Sequence, residues 1–205
     1  MKILLVEDHA LVRAGLRNLL AAVSGARIFE AATGREAQVT RRREEPDLVL
    51  LDLNLPGMGG LELLRRLLAE DKNTRILVLS MHAEPLFAAR SLALGARGYL
   101  SKNASAEELL TAVRRVHEGG RYIENAIAQE LALRAAGAED PWKELSERDL
   151  EILRLLAEGL SLAEIADALG IAYKTAANAC TQIKIRLGVS RTADMVRLAM
   201  SLGLS

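Results

Sequence analysis

Four short apolar runs, Ile3 to Val6, Leu48 to Leu51, Ile76 to Leu79 and Tyr99 to Leu100, each end in polar residues suited to phosphoryl chemistry: Glu7-Asp8, Asp52, Ser80 and Lys102. Three carboxylates at neighbouring strand ends repel one another unless a cation sits among them, and a hard, octahedral Mg²⁺ with carboxylate and water ligands meets that need. A carboxylate is also a nucleophile toward phosphorus. Asp52 is the candidate, because it stands alone after a wholly apolar run, whereas Glu7 and Asp8 form a pair suited to the metal. Lys102 would neutralise phosphoryl oxygens and Ser80 would donate a hydroxyl hydrogen bond to one of them. Singly, each residue reads as a solvated loop group or a helix cap; their recurrence at successive run ends reverses that weighting.

The elements that must position these groups follow from periodicity. Short strand-like runs alternate with helical stretches such as Leu11, Val12, Leu16, Leu19, Leu20, then Leu61, Leu64, Leu67, Leu68, then Leu109, Val113, Val116. About five such strands, one near Ile28 to Ala31, predict an α/β doubly wound parallel sheet across residues 1–119. In open sheets of this kind, ligands bind outside the carboxyl ends of the strands, so the four endings should share one crevice. After Gly119-Gly120 comes an alanine-rich stretch, Tyr122 to Ala136, and a loose Gly137 to Pro141; residues 120–143 are expected to form a partly helical linker. Residues 144–205 carry no strand pattern and predict a small all-α domain of four helices, with turns at Gly159, Gly170 and Gly188.

Within it, Leu160 to Ile171 followed by Tyr173 to Leu187 reads as helix, tight turn, helix, the arrangement whose second helix enters the DNA major groove. Small Ala163, Ala166 and Ala176 would let the two helices approach. From Glu144 onward there are seven basic and eight acidic residues, so the domain is not basic overall. Between Ala168 and Ala193, however, four basic residues occur without an acidic one, and it is segregated positive charge that phosphate contact requires.

Composition sets the outer bounds. The 205 residues are 50% hydrophobic with formal net charge 0, enough for one large or two modest domains with a real core. The single Cys180 excludes an intramolecular disulfide, and no leader-like or membrane-length apolar run is present; a cytoplasmic protein with no membrane partner is expected.

The motifs Leu4 to His9, Asp52 to Gly60, Leu79 to His82 and Gly95 to Lys102 resemble the receiver domain of bacterial two-component response regulators. Leu145 to Arg148, Gly159 to Ser161, Glu164 to Ala166, Leu169 to Ile171, Lys174-Thr175 and Leu187 to Ser190 resemble the LuxR-type output domain, so the whole chain is similar to the NarL/FixJ family. The resemblance implies a five-stranded, flavodoxin-like receiver and a helix-turn-helix domain. It implies phosphoryl transfer from a sensor histidine kinase to Asp52, with Mg²⁺ held by Glu7, Asp8, Asp52 and the backbone carbonyl of Asn54. Ser80 and Tyr99 would be the switch pair, and Asn54 and His82 would tune hydrolysis of the aspartyl phosphate. Beyond Mg²⁺-dependent phosphoryl acceptance and self-dephosphorylation, no enzyme activity is implied. The partners would be the kinase, double-stranded DNA and a second copy of the chain, paired through a final helix over Thr192 to Ser201.

Matched position by position, Ala177, Asn178 and Thr181 would face base edges, and Ser161, Lys174, Thr175, Gln182 and Lys184 backbone phosphates. The chain departs from the family at Ala172-Tyr173, where Ser-Pro is usual, at Ala176 for Val, and at Ala179 for His. Two other functional classes share some of these features. A phosphohydrolase resembling the haloacid dehalogenase group would need Asp at position 54, which is Asn, and would leave the helical domain unexplained. A constitutive DNA-binding protein with an idle receiver would not need three clustered carboxylates.

Overall fold

In the computed structural model, residues 1–56, 58–81, 85–136, 145–187 and 189–201 are described. Five strands, β1 (Lys2–Val6), β2 (Arg27–Ala31), β3 (Leu48–Asp52), β4 (Ile76–Ser80) and β5 (Gly98–Ser101), alternate with helices α1 (Ala10–Leu20), α2 (Gly34–Glu44), α3 (Gly60–Glu70), α4 (Pro85–Leu94) and α5 (Ala106–His117). Side chains alternate across the sheet as a period of two demands. Leu4, Val6, Val49, Leu51, Ile76, Val78 and Tyr99 enter the core that receives α3 and α4. Ile3, Leu5, Leu48, Leu50, Leu77, Leu79 and Leu100 enter the opposite core, closed by Leu109, Val113 and Val116 of α5 and Leu20 of α1. Burial on both faces explains why these strands read as unbroken apolar runs. Each fully buried leucine contributes about 1.5–3 kcal/mol relative to exposure, so the five buried on α3, Leu61, Leu63, Leu64, Leu67 and Leu68, anchor that helix firmly.

The sheet has six strands, not five, in the parallel order β2-β1-β3-β4-β5-β6. The sixth, β6 (Tyr122–Ile123), pairs Tyr122 with Gly98 and Tyr99 with Ile123 inside the stretch expected to be linker. A two-residue strand has no periodicity to betray it. Strand β1 has β2 on one side and β3 on the other, and this reversal of strand order opens a crevice at their carboxyl ends.

Helix α6 (Asn125–Ala136) follows, and then the helical domain: α7 (Glu147–Ala157), α8 (Leu162–Ala168), α9 (Tyr173–Arg186) and α10 (Thr192–Ser201). Serine capping boxes start α7 and α8, Ser146 with Asp149 and Ser161 with Glu164. Leu150, Ile152, Leu153, Ile165, Leu169, Cys180, Ile183, Met195 and Ala199 form the core of this domain. No described helix is long and apolar enough to cross a membrane.

The two domains meet where α3 faces α7. Arg90 Nη2 of α4 donates to the carbonyl of Leu145 at 2.8 Å, and Arg65 Nε of α3 lies 3.8 Å from Glu147 Oε2 of α7. A cavity of about 330 Å³, lined by residues of both domains including Glu62, Arg90 and Glu151, opens along this seam.

Candidate phosphoacceptor crevice and nucleic-acid interface

Strand β1 delivers Glu7 and Asp8, β3 ends on Asp52, β4 ends on Ser80, and Lys102 follows β5. The register puts Val6 beside Leu51, Asp52 beside Leu79, and Ser80 beside Ser101, so the expected residues converge on one end of the sheet. Lys102 Nζ lies 2.7 Å from Asp52 Oδ2 and 2.5 Å from Glu7 Oε2. Its main-chain N–H donates to Ser80 O at 2.7 Å, tying the ends of β4 and β5 together. Glu7 and Asp52 are each 1% exposed and Ser80 is 5% exposed. Buried carboxylates carry a heavy desolvation cost unless paired, and the shared ammonium offsets it.

The loop after Asp52 is tightly wound. Asn54 N–H donates to Asp52 Oδ1 at 3.0 Å, and Leu55 and Gly60 both donate to the carbonyl of Leu53, at 3.1 and 3.0 Å. A Cβ at Gly60 would fall 2.3 Å from Leu53 Cα, so only glycine lets the helix start this close to the strand it follows.

Glu7, Asp8, His9 and Asp52 each offer a ligand atom within 4.8 Å of the others. The donor set fits a hard divalent cation: three carboxylates meet at one point, against the single ammonium of Lys102. His9 was not among the expected site residues. Its Nδ1 lies 2.8 Å from Asp8 Oδ1 and 3.2 Å from Glu7 Oε1, and the motif Glu7-Asp8-His9 was the available signal. Tyr99 is fully buried, its ring in the core shared with Phe87, Ala88 and Ile127. His82 lies outside the described residues.

In the helical domain, α8 ends at Ala168 with Leu169 as its C-cap, and Gly170 takes φ 61°, the left-handed conformation a glycine adopts without strain. Ile171 N–H then donates to Ala166 O at 2.9 Å and α9 begins. Ala176, Cys180 and Ile183 form the buried face of α9. Lys174, Thr175, Asn178, Thr181 and Gln182 are exposed, whereas Ala177 and Lys184 are half-buried. Spacings of four and three place Lys174, Asn178 and Thr181 on one outward stripe. Ala166 and Ala176 are buried, as a close approach of the two helices requires, whereas Ala163 is exposed.

Two intramolecular engagements bear on the expected contacts. Ser161 is the N-cap of α8 and its hydroxyl lies 2.7 Å from Glu164 Oε2, so its side chain already serves the capping box. The segregated positive charge is also partly spoken for. Arg186 Nη1 donates to Asp149 Oδ2 at 2.6 Å, and Arg191 pairs with Asp194 at 2.9 Å. Lys174 and Lys184 are the cations of α9 without an ion pair among the described residues.

Burial, more than the neighbouring glutamates, raises the Glu151 carboxyl at the domain seam from 4.5 to about 7, against the lowering pull of Arg154 and Arg148. Glu147 is raised for the same first reason, burial, reinforced by Glu62.

Residues 3–114 match the response regulator receiver domain family, and residues 143–199 match the luxR family of bacterial regulatory proteins. The chain is 36% identical over its whole length to the response regulator UvrY of Escherichia coli K12, covering 95% of that protein. It is 39% identical, again over its whole length, to the transcriptional activator protein ExaE of Pseudomonas putida, covering 98% of it. Among solved structures, RcsB of Salmonella enterica serovar Typhimurium bound to promoter rprA superposes with TM-score 0.72, over 96% of each chain at 23% identity, which supports the fold. A receiver crevice at the end of a doubly wound sheet, a helix-turn-helix beyond it and full-length relatives of both together make this chain a two-component response regulator of the NarL/FixJ family, with a LuxR-type DNA-binding output domain.

Proposed function

We propose that Asp52 accepts a phosphoryl group from the phosphohistidine of a sensor kinase and that this modification controls binding of double-stranded DNA by a dimer of the chain. The observation that carries the reading is Lys102, whose ammonium bridges Asp52 and Glu7 beside Asp8 at the sheet's switch point.

In the transfer, a carboxylate oxygen of Asp52 attacks phosphorus in line. The O–P bond forms as the N–P bond to the donor imidazole breaks, and that nitrogen leaves with the bond's electron pair and takes up a proton. Lys102 follows the charge from the carboxylate to the phosphoryl oxygens, and the Ser80 hydroxyl donates to one of them. Mg²⁺, when bound, supplies positive charge to the phosphoryl oxygens; Glu7, Asp8, Asp52 and the Asn54 carbonyl would hold it. Asn54 and His82 would tune the rate at which the acyl phosphate is hydrolysed.

Ser80 and the buried Tyr99 form the switch pair. Engagement of the Ser80 hydroxyl by the phosphoryl group stabilises the packing in which the Tyr99 ring is inside, a population shift between two arrangements of one fold. In the output domain, Lys174, Thr175, Gln182 and Lys184 meet phosphates, and Ala177, Asn178 and Thr181 meet bases in the major groove. Ser161 reaches a phosphate only through its exposed N-terminal turn, since its hydroxyl is engaged with Glu164. With only two cations of α9 outside ion pairs among the described residues, two copies are needed for stable binding, and α10, with Met200 half-exposed while Met195 is buried, supplies the pairing face.

Intact mass after incubation with acetyl phosphate tests the acceptor. The wild type should gain one phosphoryl group only when Mg²⁺ is present, and Asp52→Asn should gain none. Equal labelling of the two proteins, or labelling unaffected by chelation, would overturn the assignment.

A further inference from the structure

A second cation serves the acidic crevice from behind. Arg13, one turn into α1, reaches back over the turn that joins it to β1. Its Nη1 donates to the carbonyl of Glu7 at 2.6 Å and to that of Asp8 at 3.1 Å, and its Nε donates to Glu30 Oε2 at 3.2 Å. Arg17 Nη1 approaches the other oxygen of Glu30 at 3.7 Å, and the Arg13 N–H closes the first turn of the helix on His9 O at 2.9 Å. The Arg13 side chain is 20% exposed, so the fork is largely shielded from water.

The division of labour is specific. Lys102 holds carboxylate oxygens, those of Glu7 and Asp52. Arg13 holds the main chain of the two consecutive residues whose carboxylates enter the crevice, through one nitrogen shared between their carbonyls. A guanidinium suits this task because its donors form a rigid fork: one arm is aimed at the two carbonyls while another is held by Glu30. A lysine at the same place would offer a point charge without that orientation.

We propose that Arg13, itself oriented by Glu30, is a positioning residue that fixes the Glu7-Asp8 peptide so that a divalent cation meets both carboxylates already facing Asp52. The proposal rests on reading the crevice as the metal and phosphoacceptor site. It has an unusual sign. Considered only as a nearby positive charge, Arg13 opposes a divalent cation, and its removal would tighten binding. As a positioning residue its removal weakens binding, since partners that orient metal ligands are typically worth 10–100-fold in affinity.

Titration of the full chain with Mg²⁺ by calorimetry distinguishes these. Arg13→Met should raise the Mg²⁺ dissociation constant about tenfold or more. Arg13→Lys should recover part of the loss, and Glu30→Gln, which leaves the guanidinium in place but slackens it, should show a smaller loss in the same direction. At saturating Mg²⁺, Arg13→Met should regain the phosphoryl occupancy of the wild type with acetyl phosphate, which a damaged fold would not. Unchanged or tighter Mg²⁺ binding in an Arg13→Met protein that melts like the wild type in chelator would overturn the proposal. If that variant does not fold, Glu30→Gln decides, and wild-type affinity there overturns it. Asp8→Asn separates the two levels: if the wild type fails to bind Mg²⁺, or Asp8→Asn binds it equally well, the metal-site reading falls and the proposal falls with it.

Discussion

The carboxylate of Glu151, on the first helix of the output domain, occupies the space where a side chain at Gly59 of the receiver would begin: a Cβ built there lies 1.5 Å from Glu151 Oε1. Gly59 is the N-cap of α3 and the end of the loop that starts at Asp52. The loop that follows Asp52 is thus in direct contact with the output domain. Among the described residues the outward stripe of α9 is exposed, and it is α7 that meets α3 of the receiver.

Gly59→Ala should loosen the domain seam. The backbone there, φ −59° and ψ 152°, suits alanine, so the effect comes from displacing Glu151 and not from strain. Small-angle scattering should show a larger radius of gyration for Gly59→Ala, while the double variant Gly59→Ala/Glu151→Ala returns to the wild-type value. Such non-additivity marks a direct contact. Equal radii for wild type and Gly59→Ala would refute the contact.

The same carboxyl makes the seam sensitive to pH. Burial raises Glu151 from 4.5 to about 7, so the packed state binds a proton that the separated, solvated side chain would release. Docking is therefore fully favoured below the ordinary carboxylate range, weakens roughly tenfold per pH unit between about 5 and 7, and levels off above that. Arg148 and Arg154 work against the shift and Glu62 and Glu147 with it; Glu147, raised too, adds in the same direction. Fluorescence transfer between probes on the two domains, followed from pH 5 to 8, should fall along this curve, and Glu151→Gln should flatten most of it.

Helix α9 starts without a side-chain cap. Its N-cap, Ala172, has extended dihedrals, φ −67° and ψ 144°, ready for a capping hydroxyl that alanine lacks. Ala172→Ser should stabilise the output domain by about 0.5–1 kcal/mol, read as a higher denaturation midpoint for its transition. No gain, or a loss, would mean that the first turn is satisfied in another way.

These features differ in how far they can be read from residue order. Asp52, Lys102 and the Glu7-Asp8 pair were legible because each closes a run whose burial is a local property of a two-sided parallel strand. Leu11 was not: its helical spacing suggests the core, yet it is 87% exposed, since α1 turns only part of its apolar stripe inward. The pairing of Tyr122 with Gly98, the capture of Arg186 by Asp149 and the seat of Glu151 on Gly59 join residues far apart in the chain. Tertiary packing decides them, and no periodicity records it.

On the DNA face, Lys174→Ala should weaken binding uniformly across sequences and reduce the salt slope by about 1, as loss of one phosphate contact does. Asn178→Ala should instead narrow the gap between cognate and mutated sites by about 1–3 kcal/mol per position read. Titration of both variants at several salt concentrations separates the two roles; identical slopes and identical discrimination would show that neither residue touches DNA.

Control of DNA binding by Asp52 is tested most directly by the affinity of the full chain for its operator at one stated salt concentration, with and without acetyl phosphate and Mg²⁺, for wild type and Asp52→Asn. Phosphodonor should change the affinity of the wild type, in step with a shift to dimer, and leave that of Asp52→Asn unmoved. A wild-type affinity that stays the same while Asp52 carries a phosphoryl group would contradict it.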